Sequence, residues 1–499
     1  MCSDGLSPCA VVYSGMFDYD TYLSVFTWRY GSREMRQLFS EVATRATWRR
    51  IWLALAEAEA EKGLVTQEEL EDIRAYADTS KVDIKRAHEV ERQIRHDLMA
   101  EIKVFAEQAK KGGGKIHLGA TSADIEDNAD AMKIRAALDI ILTRLVNCLD
   151  AASRKIKEYY DLPCMGWTHL QPAEPTTVGY RLAQYAQDLV TDIRYVEFLL
   201  EKVVKGKGLK GSVGTSSSFK ELLSGICEPS ELESAFLSKL GLDAYFVSTQ
   251  TYPRKLDLLV LSTLSSIAQS AHKFAFDVRL MQSPVFGEWS EPIGERQVGS
   301  SAMPFKRNPV LSERICSLAR FVAVLPQVAF SNAASTLLER TLDDSANRRV
   351  IIPESFLAVD EILILYDKVM SGLQIYEKVI ERNLRRFAPF SATERLLMKL
   401  VKAGESRQEM HELIRAYSFK AWKAVLEGEE NPLIDLLASD DKIASKLSRS
   451  EIEYILGSAS FKEQVGDAPQ RCLEFLRREV TPILEKYADR VGRRVSAEF

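Results

Sequence analysis

Long segments whose apolar residues recur with the period of an α-helix are the feature that most constrains the fold of this chain. Between residues 129 and 160, apolar side chains return every three or four positions, as on one face of a long amphipathic helix. Four further segments show the same period and predict long helices: 176–204, 252–281, 310–325 and 353–372. No stretch alternates strands with helices as a doubly wound sheet requires, so we predict an all-α chain.

Composition excludes several classes of function. The 499 residues carry a net charge of only −5, which gives the chain no overall attraction to nucleic acid or to an anionic membrane. The seven cysteines are scattered and lack a C-x-x-C pair, so they indicate reduced intracellular thiols and neither a disulfide framework nor a zinc site. Polar residues interrupt the most apolar stretch, 256–276, which favours a buried helix over a membrane span. The first 13 residues have no basic start and do not resemble a signal peptide, so we expect a cytoplasmic protein.

Flexible segments divide the helical pattern into three parts. Residues 110–115 are rich in Lys and Gly, and residues 205–218 are rich in Gly and Ser. After about residue 372, the apolar pattern becomes shorter and more charged. We therefore expect an N-terminal helical domain over 1–121, a central domain of long helices over 122–375 and a smaller C-terminal helical domain over 376–499.

The loop 283–301 is long for a connection within a helical bundle, which favours a functional role. It leads into residues 299–309, which read Gly-Ser-Ser-Ala-Met-Pro-Phe-Lys-Arg-Asn-Pro. Backbone N–H groups and hydroxyls of the Gly-Ser-Ser strip can approach an anion, while Lys306 supplies a positive charge and Asn308 a donor. From composition alone, the segment also fits a plain linker that caps the following helix.

His169 has the clearest functional setting among the six histidines of the chain. It lies in a turn bounded by proline, from which a side chain can point into a cleft, and imidazole titrates near neutral pH. An ordinary surface or core histidine is the alternative at this position. His96, between Arg95 and Asp97, lies in a helical stretch, and His117 opens a loop rich in hydroxyl groups.

A third cluster, residues 339–349, combines acids, hydroxyls and arginines before a predicted helix. The pattern predicts Ser345 as the helix N-cap, with Arg349 one turn later on the same face and Arg340 just before. Backbone N–H groups, a hydroxyl and two guanidinium groups at a helix start can form a phosphate site. The alternative is a helix start that is only capped and salt-bridged.

Together these motifs resemble those of the fumarase/aspartase superfamily and, within it, the adenylosuccinate lyases. Residues 299–309 match the superfamily pattern G-S-S-x-M-P-x-K-x-N-P in full. The Lys-Arg-Asn-Pro form of that loop and five other segments match the adenylosuccinate lyases more narrowly; these are 95–97, 117–122, 168–169, 248–251 and 342–345. The sequence Ser-Ala-Asn-Arg-Arg at 345–349 is most similar to the animal-type branch, and the likeness runs from about residue 28 to about residue 484.

The resemblance implies a reaction and an architecture. Adenylosuccinate lyases release fumarate by β-elimination from adenylosuccinate, which leaves AMP, and from the purine intermediate SAICAR, which leaves AICAR. This chemistry needs a base, a group that stabilises the developing anion and an acid for the departing nitrogen, and it implies no cofactor and no metal. The family fold is all-α, with three domains and a central bundle of long helices that forms the core of a homotetramer. Each active site draws on three subunits, and no nucleic acid or membrane is implied as a partner.

Carried over by motif, the resemblance implies catalytic roles for five residues. Ser300 would be the base, and His169 would be the general acid, oriented by Glu313. Lys306 and Asn308 would hold the succinyl carboxylates, and Lys306 would also favour the serine alkoxide.

The resemblance also implies thirteen substrate-binding residues. At one further position the sequence differs from the family. Arg29, Tyr30, Arg340, Ser345 and Arg349 would bind the phosphate. The nucleotide would lie along Arg95, His96 and Asp97, and the succinyl end would contact Thr121, Ser122 and Thr168. Gln250 and Ser301 are the two remaining residues of the set. Ser216 stands where animal-type members carry a Gln that touches the substrate carboxylate. This departure bears on substrate affinity and not on the class of reaction.

Two alternatives stay open at this point. Another lyase of the superfamily would act on argininosuccinate, malate, aspartate or a carboxymuconate, but these substrates carry no phosphate to match the arginines of residues 340–349. A paralogue that keeps the fold without the chemistry is the second alternative. The simultaneous presence of the five catalytic candidates disfavours it.

Overall fold

The computed structural model describes residues 20–294, 302–303 and 305–497 of the chain. Its N-terminal part is a layer of helices whose starts are capped by the hydroxyls of Ser32, Ser40 and Thr66. These helices are α1 (Arg33–Leu38), α2 (Glu41–Glu61), α3 (Gln67–Tyr76), α4 (Ile84–Ile94) and α5 (Asp97–Gln108). Helices α2, α3 and α5 share an apolar core that contains Trp52 and Phe105, whose ring centroids lie 6.2 Å apart.

A bundle of long helices forms the centre of the molecule. In chain order the helices of this region are α6 (Ser122–Glu158), α7 (Val178–Phe198), α8 (Ser217–Leu222), α9 (Pro229–Leu240), α10 (Lys255–Gln282), α11 (Val310–Ser335) and α12 (Ser345–Ser371). Helix α10 packs along α11, α11 along α12, and α6 along both α7 and α12, so that one apolar core runs through the bundle. The short helices α8 and α9 join the N-terminal layer instead. Among the described helices, α11 alone has the length and hydropathy of a membrane span, and here it lies between α10 and α12.

The all-α architecture predicted from the sequence is confirmed, with shifts at several helix ends. Helix α6 begins at Ser122 and not at residue 129, and α12 begins at Ser345 and not at residue 353. Helix α11 continues past Pro326 to Ser335. Ser345 is therefore the first residue of α12, and the N-cap position predicted for it belongs to Asp344.

In the part of the chain that the structure describes, two small antiparallel sheets accompany the helices. Strands β1 (Pro163–Thr168) and β2 (Gln171–Thr177) form a hairpin after α6, and β3 (Trp289–Ser290) pairs with β4 (Gln374–Ile375). Trp167 fixes the hairpin to the rest of the chain because its ring packs edge-on against Phe286 and Phe387, at 5.0 and 5.4 Å. The hairpin thus carries its turn, residues 169–170, outward from the bundle.

The C-terminal part contains short helices with a separate apolar core around Leu396, Leu400 and Met410. They are α13 (Glu377–Ser391), α14 (Thr393–Lys402), α15 (Arg407–Leu426), α16 (Leu433–Ala438), α17 (Asp441–Ala444), α18 (Arg449–Leu456), α19 (Phe461–Gln464), α20 (Ala468–Phe475) and α21 (Thr481–Lys486). Helix α13 packs on the β1–β2 hairpin, whereas α20 and α21 return to α7 and α6. The limits of the three domains stay a prediction.

Candidate active site

A cavity of about 460 Å³ opens where the starts of α5, α6 and α12 meet. Four of the predicted substrate-binding residues line it: Asp97, Arg340, Ser345 and Arg349. Arg349 donates a hydrogen bond from Nη2 to Oδ2 of Asp97 at 2.6 Å. Burial alone would raise the pKa of Asp97, but the guanidinium of Arg349, together with the backbone N–H of Leu98 and the charge of His96, lowers it overall. The structure thus brings these two predicted residues into direct contact.

Buried ion pairs hold the start of α12 beside this cavity. Asp344 accepts one hydrogen bond from Arg340 at 2.9 Å and another from Arg254 at 2.7 Å. Arg348, one turn into α12, donates to Asp257 at 2.7 Å and to Asp130 at 3.0 Å. Since these partners come from α6 and α10, the orientation of the Arg340–Arg349 cluster is fixed by the central bundle.

Arg95, His96 and Asp97 form an elbow between two helices, which corrects the helical stretch expected there. Arg95 ends α4 in the left-handed conformation, with φ of 60°, and His96 caps α5 through its side chain. A non-glycine residue in this conformation is strained by roughly 1–3 kcal/mol and is held by its surroundings. Glu126 faces the same cavity, where burial and the nearby negative charge of Asp97 raise its pKa to about 7.

Thr121, Ser122 and Gln250 do not line this cavity and lie near the Gly-rich loop 205–216. Thr121 and Ser122 lie at the start of α6, and Gln250 donates from Nε2 to the carbonyl oxygen of Ser212 at 3.2 Å. Ser216, the departure from the family pattern, has φ of 53° and donates its hydroxyl to the carbonyl oxygen of Leu209 at 3.0 Å. Its hydroxyl therefore serves the loop itself.

Arg29 and Tyr30 lie elsewhere in the chain, beside the middle of α12. The backbone N–H of Gly31 donates to Glu361 at 3.2 Å, and Arg314 approaches the same carboxylate at 3.5 Å. The guanidinium groups of Arg29 and Arg314 lie 5.8 and 5.7 Å from the ring centroid of Tyr30. A Cβ on Gly31, whose φ is 81°, would come within 2.8 Å of the Leu357 side chain, so the chain needs glycine there.

Arg314 is a candidate that the sequence did not single out. It follows Glu313 directly and lies in the first two turns of the helix after the 299–309 segment. This position in the sequence was the only indication that it could belong to a site. The structure places it with Arg29 and Tyr30, and this group adds positive charge to that side of the molecule.

Lys306, Asn308 and Glu313 lie at the start of α11, and Ser300 and Ser301 fall outside the described residues. Glu291 anchors this helix start, because its carboxylate accepts the backbone N–H of Leu311 at 3.0 Å and of Ser312 at 2.9 Å. The side chain of Glu313 is exposed. Arg314 follows Glu313 in this helix start and contacts Tyr30, so the three residues lie at the end of α11 that approaches Tyr30.

Thr168 and His169 lie at the exposed turn of the β1–β2 hairpin. His169 and Leu170 have φ of 54° and 59°, the pair of positive values that defines a type I′ turn. Thr168 pairs with Gln171 across the strands. Among the described residues, the imidazole of His169 makes no hydrogen bond with Glu313, so one chain does not form the predicted acid–carboxylate pair.

The predicted site residues fall into separate groups within a single chain. Helix α11, with 26 residues, spans about 39 Å, so Lys306 at one end lies far from Arg340 beyond the other. Ser345 and Glu361 are separated by about 24 Å along α12, which sets Arg29 and Tyr30 apart from the other phosphate candidates. Within one chain, the predicted site residues therefore do not lie together.

Comparison with known proteins identifies the family. A lyase family model matches residues 25–323, and a model for the adenylosuccinate lyase C-terminus matches residues 389–471. The adenylosuccinate lyase of Saccharomyces cerevisiae is 42% identical over 477 residues, which cover 95% of this chain and 97% of the relative. The adenylosuccinate lyase of Schistosoma mansoni is 38% identical and covers 95% and 98%. The chain belongs to the adenylosuccinate lyase family.

Solved structures show the same fold beyond the adenylosuccinate lyase family. A 3-carboxy-cis,cis-muconate lactonizing enzyme from Pseudomonas putida aligns with a TM-score of 0.80 at 23% identity, over 92% of this chain and 99% of its own. A fumarate lyase from a Mesorhizobium species aligns with a TM-score of 0.78 at 22% identity, over 92% and 100%. At these identities the likeness concerns the fold alone, which is that of the fumarase/aspartase superfamily.

Proposed function

We propose that the protein cleaves adenylosuccinate to AMP and fumarate, and SAICAR to AICAR and fumarate. Membership in the adenylosuccinate lyase family over nearly the whole chain carries the proposal. The cavity lined by Arg340, Ser345 and Arg349 supports it, because two guanidinium groups beside a helix start suit a nucleotide phosphate. Neither argininosuccinate nor malate carries a phosphate, so neither would need this arginine cluster.

The reaction we propose is a β-elimination in which every proton has a named carrier. The Ser300 alkoxide takes a proton from the succinyl Cβ, and the electrons move into an aci-carboxylate. Lys306 and Asn308 stabilise that anion. When it collapses, the C–N bond breaks, fumarate forms, and His169 gives a proton to the departing nitrogen, while Glu313 keeps the imidazole oriented.

The thirteen proposed substrate contacts surround this chemistry. Arg29, Tyr30, Arg340, Ser345 and Arg349 would bind the phosphate, Arg95, His96 and Asp97 the nucleotide, and Thr121, Ser122 and Thr168 the succinyl end, with Gln250 and Ser301 beside them. Arg314 would be a further phosphate-binding residue; its guanidinium approaches the carboxylate of Glu361, which also accepts the backbone N–H of Gly31. A cytoplasmic enzyme suits the five described cysteines, all of which are free.

The complete site would require several copies of the chain, and we propose a homotetramer. The separation of the site residues along α11 and α12 is one support for this proposal. The second support is the long helices themselves, which leave large apolar side chains exposed, as with Tyr195 on α7, Phe276 on α10 and Val324 on α11. Packing these helix faces against other copies of the chain would bury the exposed side chains. It would also bring one end of the bundle of one copy beside the opposite end of the bundle of another.

Ultraviolet absorbance tests the proposed reaction directly. When purified protein is mixed with adenylosuccinate, the absorbance of the substrate should fall as AMP and fumarate form. SAICAR should be cleaved as well. Argininosuccinate serves as the control substrate and should remain intact. Cleavage of argininosuccinate without any action on the two purine substrates would overturn the proposal.

A further inference from the structure

The carboxylate of Asp124, in the first turn of α6, is completely buried and accepts five hydrogen bonds. Its Oδ1 accepts from Nζ of Lys207 at 2.6 Å, from the backbone N–H of Lys210 at 3.1 Å and from that of Gly211 at 3.2 Å. Its Oδ2 accepts the backbone N–H of Thr121 at 2.9 Å and again that of Gly211 at 3.2 Å. A single side chain thus joins the start of α6 to the Gly-rich loop.

Lys207, which supplies the counter-charge, is also completely buried. Its Nζ donates a second hydrogen bond to the carbonyl oxygen of Gly211 at 2.8 Å, so it closes the loop on itself. One turn after Asp124, Asn128 exchanges hydrogen bonds with the backbone of Gly208, at 3.0 and 3.1 Å. A Cβ on Gly206 would lie 2.2 Å from Oδ1 of Asn128, which explains the glycine. The side chains of Asp124, Asn128 and Lys207 therefore hold residues 206–211 against α6, and backbone hydrogen bonds of Gly206 with residues 243 and 245 add to them.

This anchored loop contacts two segments with predicted substrate-binding residues. Gln250 donates to the carbonyl oxygen of Ser212, immediately after the anchored part. Just beyond the loop, Ser218 donates its hydroxyl to the carbonyl oxygen of Gly119 at 2.6 Å, two residues before Thr121. The loop and the start of α8 that follows it consequently contact both the 119–122 segment and Gln250.

We propose that Asp124 and Lys207 are positioning residues, which hold Thr121, Ser122 and Gln250 in the arrangement that binds the substrate. This inference rests on the proposed function, because the three held residues are its substrate contacts. Both charges are fully desolvated, and such a pair tolerates the loss of one member poorly, since the other charge is then left uncompensated. The hydrogen bonds of the pair go to the backbone of Thr121 and of the loop residues Lys210 and Gly211. The loop in turn contacts Gln250 through Ser212, so loss of the pair would displace both groups of substrate contacts.

Two substitutions and one matched control test the inference. Asp124→Asn keeps the size of the side chain but removes its charge. Lys207→Met removes the counter-charge and leaves Asp124 as an uncompensated buried charge, which destabilises the contact between α6 and the loop. Asp150→Asn is the control: Asp150 lies on the same helix about 39 Å away. It is also nearly buried, and it is paired with Arg494 at 2.7 Å.

The expected result is a rise in KM for adenylosuccinate of about 10-fold or more in both variants, with KM unchanged in the control. KM does not depend on the amount of correctly folded enzyme, so it separates positioning from simple loss of stability. A KM within about twofold of the wild type, together with a lowered melting temperature, would overturn the inference. If Asp124→Asn is insoluble, Lys207→Met decides the matter.

Hydrogen exchange gives a readout that does not depend on activity. In the wild type, the amides of Thr121, Lys210 and Gly211 should exchange slowly, and Lys207→Met should accelerate exchange there and not in the rest of α6. Fast exchange at these amides in the wild type would overturn the inference even if neither variant is soluble. A wild-type protein that does not cleave adenylosuccinate would instead refute the proposed function, and the exchange result would still stand.

Discussion

Arg349, in the first two turns of α12, donates a hydrogen bond from Nη2 to Oδ2 of Asp97 at the start of α5, at 2.6 Å. The two residues are separated by 252 positions in the chain and line the same cavity. The side chain of Arg349 remains 64% exposed, so its guanidinium is accessible to a ligand. We expect the phosphate of a nucleotide to compete with Asp97 for the guanidinium of Arg349. Until a nucleotide binds, Asp97 holds the guanidinium near the phosphate-binding position.

Arg349→Met should raise KM for adenylosuccinate by about 10- to 100-fold. The substitution keeps the length of the side chain but removes a charge-assisted hydrogen bond to phosphate, which contributes about 1.5–3 kcal/mol. The phosphate is remote from the bond that breaks, so kcat should fall less than KM rises. Initial rates over a range of substrate concentrations provide both constants.

Arg385→Met is the control for this prediction. Arg385 is similarly exposed, pairs with Glu381 on α13 and takes no part in the proposed site. Its replacement should leave KM unchanged. An equal KM in the two variants would remove Arg349 from the phosphate site.

Mixing two impaired variants should restore activity if each site combines opposite ends of different chains. One variant carries Lys306→Ala, and the other carries Arg340→Met together with Arg349→Met. After dissociation and reassembly of random mixed oligomers, about a quarter of the sites receive both groups intact. Recovered turnover, measured by the absorbance assay, reports those sites.

The control mixture combines Lys306→Ala with Ser300→Ala. Both lesions lie in the same short segment, so every site that receives this segment from either chain stays impaired. Recovery in this mixture to the same extent as in the first, or no recovery in the first, would contradict a site shared in the proposed way.

The long helices could be predicted from the sequence because their signal is local. The apolar period of residues 129–160 depends only on neighbouring positions, and α6 contains nearly all of it. The first turns of α6 were missed because Asp124 and Asp127 look like surface residues. Both are in fact buried, with their counter-charges on Lys207 and Arg254, and no local pattern reveals such distant partners.

The candidate site was predictable as a set of motifs but not as an arrangement. The residue types of 299–309 and 340–349 indicate their chemistry wherever they lie in space. The contact of Asp97 with Arg349, and the grouping of Arg314 with Tyr30, depend on how distant helices pack. The turn at His169 was predicted from its prolines, but the strands β1 and β2 on either side of it were not, because they are short and contain prolines.

Ser300→Ala should lower turnover by roughly 10²- to 10⁴-fold, the range expected when a general base is lost. The substitution removes only a hydroxyl, so the oligomer should assemble as in the wild type, as size-exclusion chromatography can show. KM should change little, because the proposed substrate contacts are retained. Near-normal turnover in an intact oligomer would exclude Ser300 as the base.

The last prediction concerns Glu59, which is buried in the N-terminal core with neither carboxylate oxygen hydrogen-bonded in the described structure. Burial raises its pKa to about 9, and Lys115 opposes this only in part. The folded chain therefore binds a proton that the unfolded chain has released above its ordinary pKa of 4.5. The contribution of Glu59 to stability is consequently fully present below pH 4.5 and is lost as the pH rises towards 9, by about 1.4 kcal/mol for each pH unit.

Glu59→Gln replaces the carboxyl with a neutral group of the same shape, so it should remove this pH dependence. The variant should melt close to the wild type at pH 5 and at a higher temperature than the wild type at pH 8, because only the wild type carries the proton-linked cost. Glu61→Gln is the matched control, since Glu61 lies on the same helix but is exposed and paired with Lys239. Thermal unfolding at the two pH values measures the difference. An equal shift at both pH values, or the same pH dependence in Glu61→Gln, would show that Glu59 is not the titrating group.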